Sequence, residues 1–196
     1  MWNQLRTLIN NIFCKKVIYL ISDTHFDHEN IIRYCHRPFN SKYEMNKCLI
    51  ENWNNTVNKN DVVYFLGDWG YGKGHRPISY WKRQLNGKII SIQGINSKGH
   101  PHDKYGLRHK IIKYKKHTFL LVHDPNNALK WKGWVIHGHT HNNAMDKYPF
   151  INGNRKTINV SVELTDYKPI SLEALESLNI DSIKWMRTSN NIPERW

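Results

Sequence analysis

The amino-acid sequence predicts an α/β fold, and two observations carry this prediction. Apolar runs of strand length recur along the chain, at residues 17–22, 62–66, 119–122 and 134–136, and short runs rich in branched residues are typical of buried strands. Between the first two runs, residues 42–57 carry an apolar face at helical spacing. A strand, a helix and a second strand in this order favour a parallel pair joined by a right-handed crossover.

Local signals predict where the other elements lie. Ser41 and Glu44 have the spacing of a capping box, which predicts that the helix begins at residue 42. The two-residue link Lys115-Lys116 predicts a hairpin between the strands on either side of it. By the same reasoning we expect strands over 88–93, 109–114, 117–122, 133–137 and 157–163, and short helices over 78–85 and 172–179.

Polar side chains with metal-binding chemistry follow four of the apolar runs. Asp23 and His25 follow the first run, Asp68 the second and His123 the third, while residues 138–141 (Gly-His-Thr-His) follow the fourth. A buried histidine that is hydrogen-bonded within the core would explain one such case but not four. Because open α/β sheets place ligands at the carboxyl ends of their strands, the pattern predicts a shared metal site. Carboxylate oxygens with imidazole nitrogens suit Zn, Mn or Fe better than Ca or Mg.

The segment after His25 holds three more side chains that could bind a metal, Asp27, His28 and Glu29. We expect them not to coordinate directly. His28 or Asn30 is expected to cap the following short helix or to support the site.

The composition indicates one domain in a reducing compartment. At 196 residues the chain is long enough for one sizeable core. Three cysteines without CxxC spacing, Cys14, Cys35 and Cys48, argue against a disulfide framework and a thiolate zinc site. We therefore expect a cytoplasmic protein. No apolar run reaches the roughly 18 residues of a transmembrane helix.

The ends of the chain are expected to lie outside the central domain, which we place at residues 17–186. Apolar residues recur at helical spacing near the start, and they predict an amphipathic helix over 1–16 that packs on the domain rather than on a membrane surface. Residues 187–196 predict an irregular C-terminal tail. The apolar residues of the first segment are Trp2, Leu5, Leu8, Ile9, Ile12 and Phe13.

The positive charge of the chain is concentrated in one segment. Of the net charge of +13, residues 70–116 contribute twelve Lys or Arg against one acid, Asp103. Tyr80 and Trp81 lie within this basic region. Basic residues interleaved with aromatic ones are typical of polyanion binding, so nucleic acid or another extended phosphate is a candidate partner.

Five motifs follow one another along the chain: Asp23-x-His25, Gly67-Asp68, a strand that ends at Gly94, His123, and Gly138-His139-x-His141. In order and spacing they resemble the calcineurin-like metallophosphoesterase family, most closely its small stand-alone bacterial, archaeal and phage members. The resemblance covers residues 17 to about 170.

The resemblance implies a fold, a pair of metals and an activity. The fold is a two-sheet β-sandwich flanked by helices, in four layers of α, β, β and α. The ions are two divalent metals, manganese first, with Fe, Zn, Ni or Mg as alternatives. The activity is hydrolysis of a phosphate ester by a hydroxide that both metals share. The implied ligands are Asp23, His25 and His141 for the first metal, Asp68 as the bridge, and Asn96, His123 and His139 for the second.

One motif departs from the family pattern. The family has Gly-Asn-His-Asp where this chain has Gly94-Ile95-Asn96, and isoleucine cannot coordinate a metal. A one-residue slip makes Asn96 the ligand and leaves the motif histidine to His100 or His102. Lys98 could instead stabilise the transition-state phosphate as a point charge, or His100 could be the ligand with His102-Asp103 as the motif pair. These alternatives stay open from the sequence.

The sequence therefore predicts a dinuclear, metal-dependent phosphoesterase, with phosphodiester, nucleotide or nucleic-acid substrates favoured by the basic region. The altered motif keeps one alternative open, a weak or inactive module of the same fold that binds nucleic acid or protein. A different two-metal hydrolase, such as an amidase, is a third reading.

Overall fold

The computed structural model describes residues 16–95, 103 and 105–190. The predicted N-terminal helix falls outside these residues except for Lys16, and so does the end of the tail from residue 191. Four candidate site residues also lie outside them: Asn96, Lys98, His100 and His102.

Ten strands and four α-helices make up the described part of the chain. The strands are β1 (Ile18–Ile21), β2 (Val62–Phe65), β3 (Lys88–Ser91), β4 (Lys110–Tyr114), β5 (His117–Leu121), β6 (Trp134–His137), β7 (Ile151–Asn152), β8 (Thr157–Asn159), β9 (Ile170–Ser171) and β10 (Trp185–Met186). The helices are α1 (Glu29–Tyr34), α2 (Lys42–Thr56), α3 (Ile78–Lys82) and α4 (Leu172–Ser177).

The strands form two sheets. The smaller has the order β3-β2-β1-β9 and the larger the order β10-β7-β8-β6-β5-β4. In the smaller sheet, β1, β2 and β3 run parallel, which is the arrangement expected from the strand–helix–strand pattern. In the larger sheet, β5, β6 and β8 run parallel, while β4 and β5 form the expected antiparallel hairpin. Lys115 in its turn takes the left-handed conformation, with φ at 48°.

The core lies between the two sheets. Leu20 and Tyr64 of the smaller sheet belong to the same buried cluster as Phe119, Leu121 and Ile136 of the larger sheet. The alternate residues of the smaller sheet face the other way and pack on α2. This alternation follows from the strand period of two, and it explains why β1 and β2 read as continuous apolar runs.

The outer faces of the two sheets are covered differently. On the smaller sheet, Met45, Leu49 and Trp53 of α2 form a second buried cluster. On the larger sheet, a short 3-10 turn at Pro125–Ala128 and the side chain of Trp131 cover a third and smaller cluster. The predicted two-sheet α/β fold flanked by helices is therefore confirmed, with its long helix on the smaller sheet.

Some elements differ from the sequence prediction. The strand expected over 157–163 ends at Asn159, and a 3-10 turn over Val162–Leu164 takes its last residues. The two-residue strands β7, β9 and β10 were not predicted, because runs this short carry no periodicity. The capping box is also only partly as expected. Ser41 Oγ accepts the amide hydrogen of Glu44, but the Glu44 carboxylate accepts from the Asn40 amide.

Among the described residues, no helix is both long enough and apolar enough to cross a lipid bilayer.

Candidate metal centre

The residues that follow β1, β2, β5 and β6 meet between the carboxyl ends of the two sheets. The backbone brings them together, since the Asp23 amide donates to the Gly67 carbonyl and Ser22 forms a bridge with Ser161. Asp23 and Asp68 are both buried. Sequence reasoning placed these segments at one edge, and the structure has them in one cluster.

Asp68 lies between histidines from the two sheets. Its Oδ2 is 3.6 Å from Nε2 of His25 and 3.5 Å from Nε2 of His123. Because the two imidazoles approach one carboxylate oxygen from different segments, Asp68 connects the segment after β1 with the segment after β5.

Two overlapping clusters have the residue types and spacing to hold metal ions. One contains Asp23, His25 and His141, and the other contains Asp23, Asp68 and His123. Within each cluster the candidate ligand atoms all lie within 4.8 Å of one another. The structure thus assembles five of the seven sequence-predicted metal ligands, and Asp23 takes part in both clusters.

His139 lies at the border of this centre. Its ring centroid is 5.0 Å from that of His123, and its Nε2 is 4.0 Å from Oδ2 of Asp124. Its side chain is 32% exposed, whereas that of His123 is 5% exposed. His139 therefore faces the solvent side of the centre, and only its backbone amide contacts Asp23, through a 2.9 Å hydrogen bond to Oδ2.

Hydrogen bonds fix the orientation of the carboxylates. Asp23 Oδ2 also accepts from the Ser161 hydroxyl at 2.9 Å, while Asp23 Oδ1 is buried and accepts no hydrogen bond within the described part of the chain. Asp68 Oδ1 accepts from the Ile95 amide at 2.9 Å. A buried carboxylate oxygen without a donor is costly, and a cation at this place would satisfy it.

The altered third motif contributes through its backbone. The Ile95 amide supports Asp68, and the Ile95 side chain is 39% exposed. Ile95 is therefore not buried in the cluster, and it contacts Asp68 through its backbone amide.

The imidazoles are oriented by hydrogen bonds at their second nitrogen. Nδ1 of His123 donates to the Leu66 carbonyl at 2.7 Å, which leaves Nε2 facing Asp68. Nδ1 of His141 contacts Oε1 of Glu163 at 2.9 Å, and its Nε2 lies 3.7 Å from Oδ1 of Asp23. Partners of this kind select the tautomer that a metal ligand needs.

A buried ion pair supports this arrangement, and sequence reasoning missed it. Arg37 and Glu163 meet at 2.6 Å, with both side chains at most 1% exposed. Arg37 also donates to the backbone carbonyls of Asp23 and Thr24. The signal available was a lone acid, Glu163, at the apolar end of the strand predicted over 157–163, and nothing in its spacing connected it with Arg37.

The same region contains a third cluster. Cys35, His141 and Glu163 also have candidate ligand atoms within 4.8 Å of one another. His141 and Glu163 already contact each other there, so this cluster lies directly behind the first one.

The backbone of the centre adopts an uncommon conformation. Asp23, His25, Asp68, His139 and His141 all have positive φ, between 47° and 70°. Residues other than glycine rarely adopt this region, and such strain concentrates at functional sites.

Glycines make room for the carboxylates. A Cβ on Gly138 would overlap Ser22 Oγ and Asp23 Oδ2, and a Cβ on Gly94 would overlap Asp68 Oδ1. This close approach explains why the motifs need glycine at these two positions.

The carboxylates give the centre a strongly negative field. Burial works to lower the pKa of His123, but the nearby carboxylates of Asp68 and Asp23 outweigh it and raise this pKa to about 9. Burial also works to lower the pKa of His141, but the carboxylates of Asp23 and Glu163 outweigh it and raise this pKa. In contrast, burial first and then His141 hold the pKa of His25 well below its usual value. A field that holds protons on two imidazoles would equally favour bound cations.

The segment after His25 supports the centre without joining a cluster. Nδ1 of His28 lies 3.3 Å from Nδ1 of His25, and its ring contacts Tyr71. Asp27 binds Arg76 and Asn46. His28 precedes α1, but its side chain makes no capping hydrogen bond. Of the two expected roles for His28, only the supporting one fits this geometry.

The basic region does not form one surface. Arg76 pairs with Asp27, Lys82 with Asp103 and Lys116 with Asp181. Lys88 begins β3, at the sheet end opposite the centre. Of the described cations, Arg108 and Lys110 lie at the sheet end that holds the centre, because Lys110 pairs with the last residue of β5.

The fold and the site define a two-sheet α/β protein with clusters of Asp and His that could hold metal ions. No family model matches the chain. It is 49% identical over 178 residues, 89% of this chain and 97% of the other, to the uncharacterized protein MJ1445 of Methanocaldococcus jannaschii. The chain therefore belongs to the family of that archaeal protein.

Solved structures show a similar fold. The protein of unknown function AQ665 from Aquifex aeolicus aligns with a TM-score of 0.65 and 28% identity over 84% of this chain and all of that chain. A predicted phosphoesterase from Streptococcus pneumoniae aligns with a TM-score of 0.35 and 18% identity, over 74% of this chain and 71% of that one. The second likeness is too weak to support an argument.

Proposed function

We propose that the protein is a metal-dependent phosphoesterase that holds two divalent metals between the ends of its sheets. One observation carries the proposal: Asp68 Oδ2 lies within 3.6 Å of His25 and within 3.5 Å of His123, which belong to different ligand sets. Two dications close together repel each other, and a shared carboxylate relieves that repulsion. The resemblance of the motifs to the calcineurin-like metallophosphoesterases supports the same reading.

The donor set fits such a pair. Asp23, His25 and His141 would hold one metal, and His123 the other, with Asp68 between them. His139 would complete the second set from the solvent side, and Asn96 is the candidate for its remaining position. Mixed oxygen and nitrogen donors favour manganese, iron or zinc over calcium, and manganese is our first choice.

Two metals held there would supply Lewis acidity and would lower the pKa of a bound water to near neutral. The residues of this chain would position the substrate and neutralise its negative charge. Asp68 and Asp23 would set the spacing of the ligand sets, and His139, whose side chain is 32% exposed, lies on the solvent side of the centre. Lys98, His100 and His102 are the candidates for binding the phosphate or protonating the leaving group.

Phosphodiesters are the favoured substrates. Arg108 and Lys110 lie at the sheet end that holds the centre, where Lys110 pairs with the last residue of β5. Because binding of a polyanion gains from each phosphate that a cation neutralises, cations at this end favour a substrate with several phosphates. Nucleotide or nucleic-acid substrates are therefore part of this proposal.

The proposal is tested with bis-p-nitrophenyl phosphate and measured metal content. Purified protein loaded with Mn²⁺ should hold about two metals per chain and hydrolyse this diester, and chelation should abolish turnover. The Asp68→Asn variant should lose at least one metal and at least 100-fold in rate, whereas Asp146→Asn, an exposed control, should match the parent. Two bound metals without turnover of any mono-, di- or cyclic phosphate ester would instead identify an inactive module of this fold.

A further inference from the structure

A groove lies on the outer face of the larger sheet, beside the candidate metal centre. Its volume is about 610 Å³, and its lining includes Gly94, Ile111, Leu120, Val122 and Trp131. This is the face that carries no long helix and only a small buried cluster. The fold therefore leaves an open concave surface at this place.

The groove reaches the centre at two points. Gly94 lines the groove, and it lies so close to Asp68 that any side chain there would overlap the carboxylate. Val122 also lines it, and the next residue in the chain is His123. The groove therefore lies beside the segments that carry Asp68 and His123.

The floor of the groove is apolar and one wall is aromatic. Ile111 and Leu120 are register partners on adjacent strands, so their side chains share the outer face of the sheet. The indole of Trp131 is held in place by a 3.1 Å hydrogen bond from Nε1 to the Trp134 carbonyl. A fixed indole beside aliphatic side chains is suited to a flat aromatic ring.

The rim of the groove is cationic. Arg108 and Lys130 line it and are exposed, and neither forms an ion pair within the described part of the chain. The residues that line the groove include these two cations and no acidic side chain within the described part of the chain. This charge favours an anionic occupant over a neutral one.

We propose that the groove binds the nucleotides next to the scissile phosphate of a single-stranded nucleic acid. The base stacks on Trp131 above the apolar floor, and Arg108 and Lys130 bind the flanking phosphates. A positive groove with an aromatic platform is the usual design for sequence-tolerant single-strand binding. This inference rests on the proposed phosphoesterase function, because it names the substrate class of that centre.

Binding is measured without turnover. A fluorescein-labelled dT12 strand is titrated with metal-free protein in EDTA, and anisotropy gives the Kd. The double variant Arg108→Ala/Lys130→Ala should weaken binding at least tenfold. It should also reduce the slope of log Kd against log salt concentration by about 1.4, because each of the two lost contacts to a single-strand phosphate contributes about 0.7. The control Lys88→Ala/Lys115→Ala removes the same charge far from the groove and should weaken binding less than threefold.

Stacking is tested at Trp131. Trp131→Ala should weaken binding at least fivefold, while Trp131→Phe, which keeps an aromatic ring, should stay within about twofold of the parent. Thermal unfolding of both variants shows that they are folded. A duplex of the same length should bind at least fivefold more weakly than dT12, because paired bases cannot reach the groove.

Three outcomes would overturn the inference: no binding of dT12, equal losses in the groove and control double variants, or a duplex that binds as tightly as the single strand. Selective capture of a protein partner by the parent but not by the Trp131→Ala variant, without dT12 binding, would assign the groove to protein instead. Hydrolysis of bis-p-nitrophenyl phosphate is measured separately. If the parent binds dT12 in the groove but hydrolyses no ester, the proposed function fails while the groove assignment stands.

Discussion

Glu163 places one carboxylate oxygen, Oε1, 2.9 Å from Nδ1 of His141 and 2.6 Å from Nη2 of Arg37. All three side chains are almost completely buried. Arg37 in turn donates to the carbonyls of Asp23 and Thr24. One buried ion pair thus connects the turn after β1 with the turn after β6, and it orients a candidate ligand on each.

We expect Glu163→Gln to weaken metal binding by about 10- to 100-fold, the usual cost of losing a partner of a metal-ligating histidine. The glutamine keeps the shape but removes the charge that orients His141 and neutralises Arg37. Because it leaves the Arg37 charge buried and unpaired, the variant should also lose about 3–5 kcal/mol of unfolding free energy. Calorimetric titration with Mn²⁺ and urea unfolding measure the two effects.

The matched control for this variant is Glu51→Gln. Glu51 forms an exposed pair with Lys47 at 3.9 Å, and exposed pairs contribute little. If the Glu163→Gln protein kept the manganese affinity of the parent, the Arg37–Glu163 pair would stabilise the fold without affecting metal binding.

Metal should stabilise the folded protein strongly. Asp23 Oδ1 is buried without a hydrogen-bond donor in the described part of the chain, so a bound cation removes an unfavourable interaction. At a free Mn²⁺ concentration 100 times its Kd, one site adds about 2.7 kcal/mol, which corresponds to a rise in Tm of about 5–10 °C for a domain of this size.

Thermal melts in Mn²⁺, in Ca²⁺ and in EDTA check this rise. Ca²⁺ should shift Tm by only a small part of the manganese effect, because it prefers oxygen ligands alone. The Asp23→Asn variant should lose most of the manganese shift. Equal shifts with both ions would point to surface carboxylates rather than to this centre.

The sequence was sufficient to predict the segments that carry the centre. Asp23, Asp68 and His123 each follow an apolar run, and the rule that parallel strands end at one edge brings such residues together. The rule works here because β1 and β2, and likewise β5 and β6, are parallel pairs. The geometry of the carboxylates could not be predicted, because it depends on backbone approaches such as that of Gly138 to Asp23.

The ion pair that supports the candidate ligands could not be predicted from the sequence, for a different reason. Arg37 and Glu163 are 126 positions apart in the chain, and a contact over that distance leaves no periodic signal. The basic region was predicted from its charge to favour polyanion binding, but the fold distributes its residues over both ends of the sheets. Charge density along a sequence says nothing about which strand end carries each residue.

We expect Gly138→Ala to abolish tight metal binding. Its Cβ would overlap both Ser22 Oγ and Asp23 Oδ2, so the Asp23 carboxylate must move away from both candidate clusters. The protein should still fold, because the displaced group lies at the edge of the sheets. Metal content after manganese loading, with a far-ultraviolet circular dichroism spectrum to show folding, measures the effect.

Gly72→Ala is the comparison for this prediction. Gly72 has a φ of 107° but no neighbouring atom within 4 Å of an added Cβ, so the substitution introduces backbone strain without displacing a ligand. It should lower the Tm slightly and leave the metal content unchanged. Parental metal content in Gly138→Ala would mean that Asp23 does not hold a metal in the way proposed.

The last prediction concerns pH and a cluster far from the centre. Asp181 contacts Lys116 at 2.9 Å, His117 at 2.9 Å and Trp134 at 3.2 Å. The hydrogen bond from Lys116, followed by that from His117, holds the pKa of Asp181 below its usual value. A lowered pKa in the folded state means that the ionised carboxylate stabilises the fold above about pH 4, and that this contribution is lost as the pH falls further.

We therefore expect Asp181→Asn to lower the urea midpoint more at pH 6 than at pH 3, where the parent has itself begun to lose the contribution. The substitution keeps the size of the side chain and removes only its charge. The control is Asp146→Asn, because Asp146 is exposed and forms no ion pair within the described ranges, and its effect should be small at both values. An equal decrease in the urea midpoint of Asp181→Asn at pH 6 and at pH 3 would mean that the side chain stabilises the fold through its shape and neutral hydrogen bonds alone. The charge on Asp181 would then contribute nothing to the contact between the β4–β5 turn and the segment after α4.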